Sequence, residues 1–288
     1  CAGTVGAVGN NTLGVAGVAW SAQLMSLKFL DHQGRGSTSD AIRAVHYANT
    51  QGVAITSNSW GGGGYSSSLK TKIEEGHDLG FLFIAAAGNA GQDTDSQPAY
   101  PASYDCPNII SVAAMAQDRT RASFSNYGLN SVDIGAPGVA ILSTSPAGSY
   151  RVLSGTSMAT PHVAGAAALL WAHFTEYSSR EIRDLILDHA EPVPDLDGSS
   201  VTGGVLALSK VFGDLGDLRP PSYRSPALAA GADHFLYVRP DGKVLQWGGG
   251  RSVAELIIGV SDVLQVAAGN RVSGSTDGGW NNVGSLSV

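Results

Sequence analysis

A serine hydroxyl at the start of a helix is the group in this sequence best suited to covalent chemistry. Ser157 follows Gly155 and Thr156, and an apolar helical pattern runs from Val163 to Trp171 just beyond it. Small neighbours leave the hydroxyl accessible, and the first N–H groups of a helix have no partner within the helix. Such N–H groups can stabilise a developing oxyanion. The pattern predicts a nucleophile, although small residues before a helix also serve as simple caps.

The sequence around Ser157 favours the first of these two interpretations. Residues 155–165 read GTSMATPHVAG, and this string resembles, position by position, the serine motif of the subtilisin-like serine proteases. The resemblance implies a serine endopeptidase in which Ser157 forms an acyl-enzyme. A histidine would act as the general base and an aspartate would orient that histidine. No catalytic cofactor is expected.

An asparagine at the end of an apolar run supplies a second candidate group. Residues 85–89 read AAAGN, and the run begins at Phe81. An Asn beside glycine is typical of a turn. In subtilisin-like proteases, however, the matching segment directs a carboxamide N–H at the oxyanion. The resemblance therefore implies that Asn89 and the Ser157 backbone N–H hold the oxyanion together.

Two glycine-rich segments are expected to bind the substrate. Ser59, Trp60 and Gly61 follow a predicted strand at 53–57, and open α/β sheets place ligands at the carboxyl ends of their strands. The resemblance implies that these residues pair with an extended polypeptide substrate as an added strand. Trp60 predicts an apolar pocket wall and hence a broad or apolar preference. Other substrate-binding residues that the resemblance implies are Gly88, Gly34, Arg35 and Gly36.

The general base is not evident among the seven histidines of the sequence. His162 lies on the predicted helix five residues after Ser157, a rotation of about 140°. Residues 1–8 (CAGTVGAV) resemble the part of the family fold that follows the catalytic histidine. We therefore expect the histidine and the aspartate of the triad to lie before Cys1, and a polypeptide limited to these residues to be inactive.

The loop at 9–17 (GNNTLGVAG) is predicted to turn sharply. In the family the corresponding loop wraps a structural calcium ion. The resemblance implies that the ligands are oxygen atoms of Val8, Asn11, Leu13 and Val15, which suit a hard cation. The family site also uses an upstream aspartate that the matched sequence does not contain.

Alternating strands and helices must position these groups. Strands are predicted at 22–30, 53–57 and 81–87, with a helix from about Ser39 to Gly52 between the first two. This order predicts an α/β fold, and the resemblance implies a three-layer subtilisin-like arrangement with a mostly parallel central sheet. Residues 1–212 would form a peptidase domain that lacks its N-terminal part.

The C-terminal part has a different character. Residues 213–226 have the composition of a linker. Residues 227–288 contain two similar units, each with an Asp-Gly pair followed by Trp247 or Trp280, and resemble regulator-of-chromosome-condensation repeats. They predict a small β-rich segment that is a partial repeat array.

Composition limits the remaining functions. The net charge of −7 and the scattered basic residues argue against nucleic acid as a partner, and no apolar run is long enough for a bilayer. The resemblance implies a secreted monomer. Cys1 and Cys106 are compatible with a disulfide or with two free thiols. A catalytically inactive protease scaffold, whose repeats bind a partner, is the alternative function.

Overall fold

The computed structural model describes residues 1–214 and the backbone of four strands in the C-terminal part. The chain divides into two compact units, Cys1–Asp214 and Leu215–Val288. The helices of the first unit are α1 (Ala2–Gly6), α2 (Thr38–Thr50), α3 (Ser67–Asp78), α4 (Thr156–His173), α5 (Ser179–Asp188) and α6 (Leu208–Asp214). Its strands are β1 (Ile55–Asn58), β2 (Leu82–Ala86), β3 (Ile109–Met115), β4 (Ile134–Pro137), β5 (Ile141–Ser145), β6 (Ser149–Leu153), β7 (Glu191–Pro192) and β8 (Gly204–Val205).

A six-stranded sheet in the order β1-β2-β3-β4-β8-β7 forms the middle of the first unit. The first five strands are parallel and only β7 runs antiparallel to its neighbour. Every residue of β3 is buried, as expected for a parallel strand that is covered on both faces. Phe83 and Ala85 of β2 pack with Val45 of α2 and Ile73 of α3, while α4 contacts β1 to β4. The predicted α/β fold with a mostly parallel sheet is confirmed.

Helix boundaries follow local capping signals. Ser37 caps α2 by accepting a hydrogen bond from the Asp40 N–H at 3.1 Å, and α2 ends directly before Gln51 and Gly52. Ser178 and Glu181 form a capping box at the start of α5. Side-chain oxygens thus satisfy N–H groups that the first turn of a helix leaves without partners.

The strand predicted at 22–30 is wrong. This segment contains no helix or strand, and it forms no ladder with any strand of the described residues. Its apolar residues express a local preference, whereas a strand also needs a partner for its backbone groups. The antiparallel hairpin of β5 and β6, which was not predicted, lies directly before α4.

The described strands of the second unit are β9 (Leu228–Ala230), β10 (His234–Val238), β11 (Val244–Gly248) and β12 (Glu255–Leu256). They form an antiparallel sheet in the order β12-β11-β10-β9. The predicted linker beyond Asp214 and most of the second repeat unit, including Trp280, lie outside the described residues. The repeat resemblance therefore stays a prediction.

The structure also describes the state of the two cysteines and the fitness of the helices to cross a membrane. Both cysteines are free thiols, Cys1 exposed and Cys106 buried, and burial raises the pKa of the Cys106 thiol to about 11. Among the described helices, none combines the length and apolar character that a membrane crossing requires.

Candidate active site

Ser157 is the second residue of α4. The helix is capped by Gly155, whose φ of 154° is a conformation that side-chain-bearing residues rarely adopt. Because Gly155 offers no side-chain cap, the first N–H groups of α4 are not covered from that side. The Ser157 hydroxyl donates to the Ser59 carbonyl at 3.4 Å, a long hydrogen bond that holds the hydroxyl only weakly.

The carboxamide of Asn89 lies across from this helix terminus and has a fixed orientation. Its Oδ1 accepts hydrogen bonds from the Thr156 backbone N–H at 2.8 Å and from the Thr156 hydroxyl at 3.0 Å. Since both contacts are to donors, the atom that accepts them must be oxygen, and the opposite atom must be the NH₂ group. Thr156 is fully buried, so its hydroxyl holds the carboxamide from within the protein.

Two N–H donors flank the same open volume. A methyl group added to Gly155 would lie 3.6 Å from Asn89 Nδ2 and 3.7 Å from the Ser157 backbone nitrogen. Neither nitrogen has a hydrogen-bond acceptor among the described residues. An oxyanion in this volume could accept from both nitrogens, as an oxyanion hole requires.

The loop that carries Asn89 is shaped by Asn126. The Asn126 side chain donates to the Ala87 carbonyl at 2.8 Å and accepts from the N–H groups of Ala90 and Gln92 at 3.0 and 3.1 Å. Gly88 has a φ of 107°, and its N–H donates to the Thr156 hydroxyl at 3.2 Å. Sequence reasoning missed Thr156 and Asn126 because their partners lie 34 to 68 residues away and leave no local pattern.

The predicted substrate edge follows β1 directly. Trp60 is half-buried, and its ring lies 5.1 Å from Phe29 and 6.5 Å from Phe83, edge to face in both cases. Beyond Gly61, Gly62 donates to the Tyr100 carbonyl at 3.4 Å, and Gly63 forms an antiparallel bridge with the same residue. Tyr100 thus binds one side of this glycine segment.

The opposite wall is an exposed turn at Gly34, Arg35 and Gly36. The Asp31 carboxylate accepts from the N–H groups of Gln33 at 2.8 Å and Arg35 at 2.9 Å, which fixes the turn. A methyl group at Gly36 would lie 2.7 Å from the Phe29 carbonyl oxygen, so the turn packs closely on the segment that contacts Trp60. The structure therefore brings the two predicted walls together through Phe29.

No histidine of the described residues hydrogen-bonds to the Ser157 hydroxyl. His162 donates through Nδ1 to the Met158 carbonyl at 2.9 Å, which directs its ring along α4. Burial lowers the pKa of His162, so the ring is neutral near neutral pH. At the start of the chain, the Cys1 thiol donates a hydrogen bond to the Ser157 carbonyl oxygen, with Sγ 3.2 Å from that oxygen.

Comparison with known proteins identifies the family. The family model described as the subtilase family matches residues 1–214. The chain belongs to the subtilase family. The Ser157 motif, the Asn89 loop and the glycine-rich edge of this subtilase all lie within the matched region.

Individual relatives agree with this assignment. Subtilisin NAT from Bacillus subtilis subsp. natto is 43% identical over 184 residues, which cover 64% of this chain and 47% of the relative. Subtilisin E from Bacillus subtilis (strain 168) is likewise 43% identical over 184 residues, which cover 64% of this chain and 47% of the relative. Thermitase from Thermoactinomyces vulgaris is 44% identical over 170 residues, 59% of each chain. This subtilase chain spans about half the length of the curated subtilisins it matches.

The predicted calcium loop of this subtilase is a tight turn. Asn10, Thr12 and Gly14 have φ values of 54°, 60° and 56°, so the backbone reverses its direction repeatedly. A cavity of about 240 Å³ is lined by residues 8–16. Asn11 Oδ1 accepts from the Leu13 N–H at 3.0 Å and keeps a second lone pair. The donor set is neutral oxygen, and no cluster of three or more acidic, histidine or cysteine side chains occurs among the described residues.

Proposed function

We propose that the full-length protein is a serine endopeptidase in which Ser157 is the nucleophile. The observation that carries the proposal is the open volume beside Ser157 where the Asn89 carboxamide and the Ser157 N–H converge. These two donors would stabilise the tetrahedral intermediate after Ser157 Oγ attacks the peptide carbonyl. No observation favours the alternative of an inactive scaffold.

The reaction needs a general base that takes the Ser157 proton and later protonates the leaving amine. We propose that a histidine outside residues 1–214 fills this role and that an aspartate, also outside them, orients it. The Cys1 thiol contacts the Ser157 carbonyl oxygen, which favours a base close in sequence to Cys1 in the full-length protein.

The substrate is proposed to be an extended polypeptide that pairs with Ser59, Trp60 and Gly61. Tyr100 binds one side of the following glycines, so the other side is available for a substrate strand. The half-buried Trp60 ring supports a broad or apolar preference. A strict requirement for Arg or Lys in a peptide-library cleavage profile would contradict it.

A structural calcium ion is proposed at the loop of residues 8–16. Calcium prefers oxygen ligands, and this loop offers the carbonyl oxygens of Val8, Leu13 and Val15 and the side-chain oxygen of Asn11. These oxygens are neutral, so a carboxylate from elsewhere would supply negative charge to the site. Calcium that binds only the folded state raises stability with concentration. We expect the melting temperature of the full-length protein to fall with EDTA and recover with calcium, and to respond less in an Asn11→Ala variant.

Three broader assignments are proposed on the same basis. Residues 1–212 would form the peptidase domain, 213–226 the linker and 227–288 the partial repeat segment. Secretion and a monomeric state are proposed from membership of the family.

A serine-directed fluorophosphonate tests the proposed nucleophile in the full-length protein. We expect labelling and peptide hydrolysis that both disappear in Ser157→Ala. Ser68→Ala is a matched control, because Ser68 is likewise the second residue of a helix but is exposed on α3. Equal labelling of wild type and Ser157→Ala would contradict the proposal, whereas Ser68→Ala should behave as wild type.

A further inference from the structure

The backbone carbonyl of Ser157 lacks the usual helical partner four residues further along α4. Pro161 lies four residues further along α4, where its N–H would normally donate to the Ser157 carbonyl. Proline has no N–H, and its ring also crowds the carbonyl four residues earlier. The residue proposed as nucleophile therefore has a carbonyl group without its usual helical donor, which other parts of the protein are free to contact.

Two side chains donate to this carbonyl oxygen. The Ser59 hydroxyl, at the end of β1, donates at 3.0 Å, and the Cys1 thiol donates at 3.2 Å. A thiol is a weak donor, so the hydroxyl supplies most of the interaction. The Ser157 hydroxyl donates in turn to the Ser59 carbonyl at 3.4 Å. Ser59 and Ser157 are thus joined by two hydrogen bonds of opposite direction.

We propose that Ser59 is a positioning residue. Its hydroxyl sets the placement of the Ser157 nucleophile by donating to the Ser157 carbonyl, which has no N–H donor at Pro161. This inference rests on the proposed function. It assigns the side chain of Ser59 a role distinct from pairing with substrate, for which only the backbone is needed. If the first turn of α4 moved, the Ser157 hydroxyl and the Ser157 N–H would both move relative to the Asn89 carboxamide, and displacements of about 1 Å cost activity steeply.

Steady-state kinetics of the full-length protein separate positioning from substrate binding. Ser59→Ala keeps the backbone that pairs with substrate, so KM should change little while kcat falls about 3- to 10-fold, as for loss of one hydrogen bond. Ser59→Thr retains a hydroxyl and should recover most of kcat. Ser57→Ala in β1, directly before this segment, is the control, because the Ser57 side chain is exposed, and it should leave both parameters unchanged.

A double-mutant cycle tests the role of Pro161. Pro161→Ala restores a backbone N–H that can donate to the Ser157 carbonyl. Ser59→Ala should then reduce kcat less in the Pro161→Ala background than in the wild type. Equal losses in the two backgrounds would overturn the proposal that Ser59 acts through this carbonyl.

The outcomes also distinguish this inference from the proposed function. If Ser157→Ala abolishes labelling and Ser59→Ala retains full kcat, the positioning role is refuted and the nucleophile stands. If Ser157→Ala leaves labelling intact, the proposed function itself fails. If Ser59→Ala does not fold, Ser59→Val and Ser59→Thr are compared, and a Ser59→Val variant with wild-type kcat would refute the role.

Discussion

At the scale of single residues, Asn89 is held on its acceptor side and leaves its donor side open. We predict that Asn89→Ala lowers kcat about 10²- to 10³-fold, the magnitude known for loss of this type of donor in subtilisin itself. KM should change little, because the oxyanion exists only in the transition state and intermediate. Burst-phase kinetics of the full-length protein measure the acylation step, and a KM effect alone would contradict the assignment.

Thr156 should act through Asn89. Thr156→Val keeps the shape of this fully buried residue but removes the hydroxyl that donates to Asn89 Oδ1. We expect kcat to fall about 3- to 10-fold, since one hydrogen bond contributes about 0.5–1.5 kcal/mol. In an Asn89→Ala background the same change should have no further effect on kcat. A full additional loss there would mean that Thr156 acts independently of Asn89.

At the scale of elements, the loop after β2 depends on a glycine conformation. Gly88→Ala would require a φ of 107° from a side-chain-bearing residue and would place a methyl group 2.3 Å from Asn126 Nδ2. Left-handed backbone costs about 1–2 kcal/mol and overpacking about 1–3 kcal/mol. We predict that Gly88→Ala lowers the free energy of unfolding measured with urea and displaces Asn89. Gly64→Ala is the control, because a methyl group added at Gly64 would have no atom within 4 Å, and this variant should keep the stability of the wild type.

Asp95 connects the loop after β2 to the turn that contains Asn130 and Ser131. Its carboxylate accepts from the Ser131 hydroxyl at 2.6 Å and the Asn130 N–H at 3.0 Å. Burial opposes the charge, but these hydrogen bonds outweigh it and lower the pKa of Asp95 below its ordinary value of 3.8. The contribution to stability is therefore complete above that value and is lost as pH falls through the lowered native pKa.

Asp95→Asn should consequently destabilise the protein at neutral pH and by less at acidic pH. Urea midpoints of wild type and variant, measured at neutral pH and below 3.8, should converge at the lower pH. A difference that stays constant over this range would show that the charge on Asp95 contributes nothing to stability.

The elements also show what the sequence can predict. The helix from about Ser39 to Gly52 and the strands at 53–57 and 81–87 were predicted from local apolar patterns, and the structure has α2, β1 and β2 close to these positions. The segment at 22–30 carries the same local signal without a partner strand and is not a strand. Thr156 and Asn126 act through contacts across the fold, which composition and periodicity do not encode.

At the scale of the whole molecule, the two compact units predict where the chain is most readily cut. Residues 213–226 have linker composition, and Arg224 offers a tryptic site there, whereas Arg219 precedes proline. In a Ser157→Ala background, which prevents self-cleavage, we expect the first tryptic cut of the full-length protein to follow Arg224. Arg35 is exposed, but Asp31 fixes its turn through two hydrogen bonds and should protect it. Mass spectrometry of the earliest products measures this order. Arg224→Gln should abolish the first cut, and initial cleavage within residues 1–212 would contradict the predicted domain boundary.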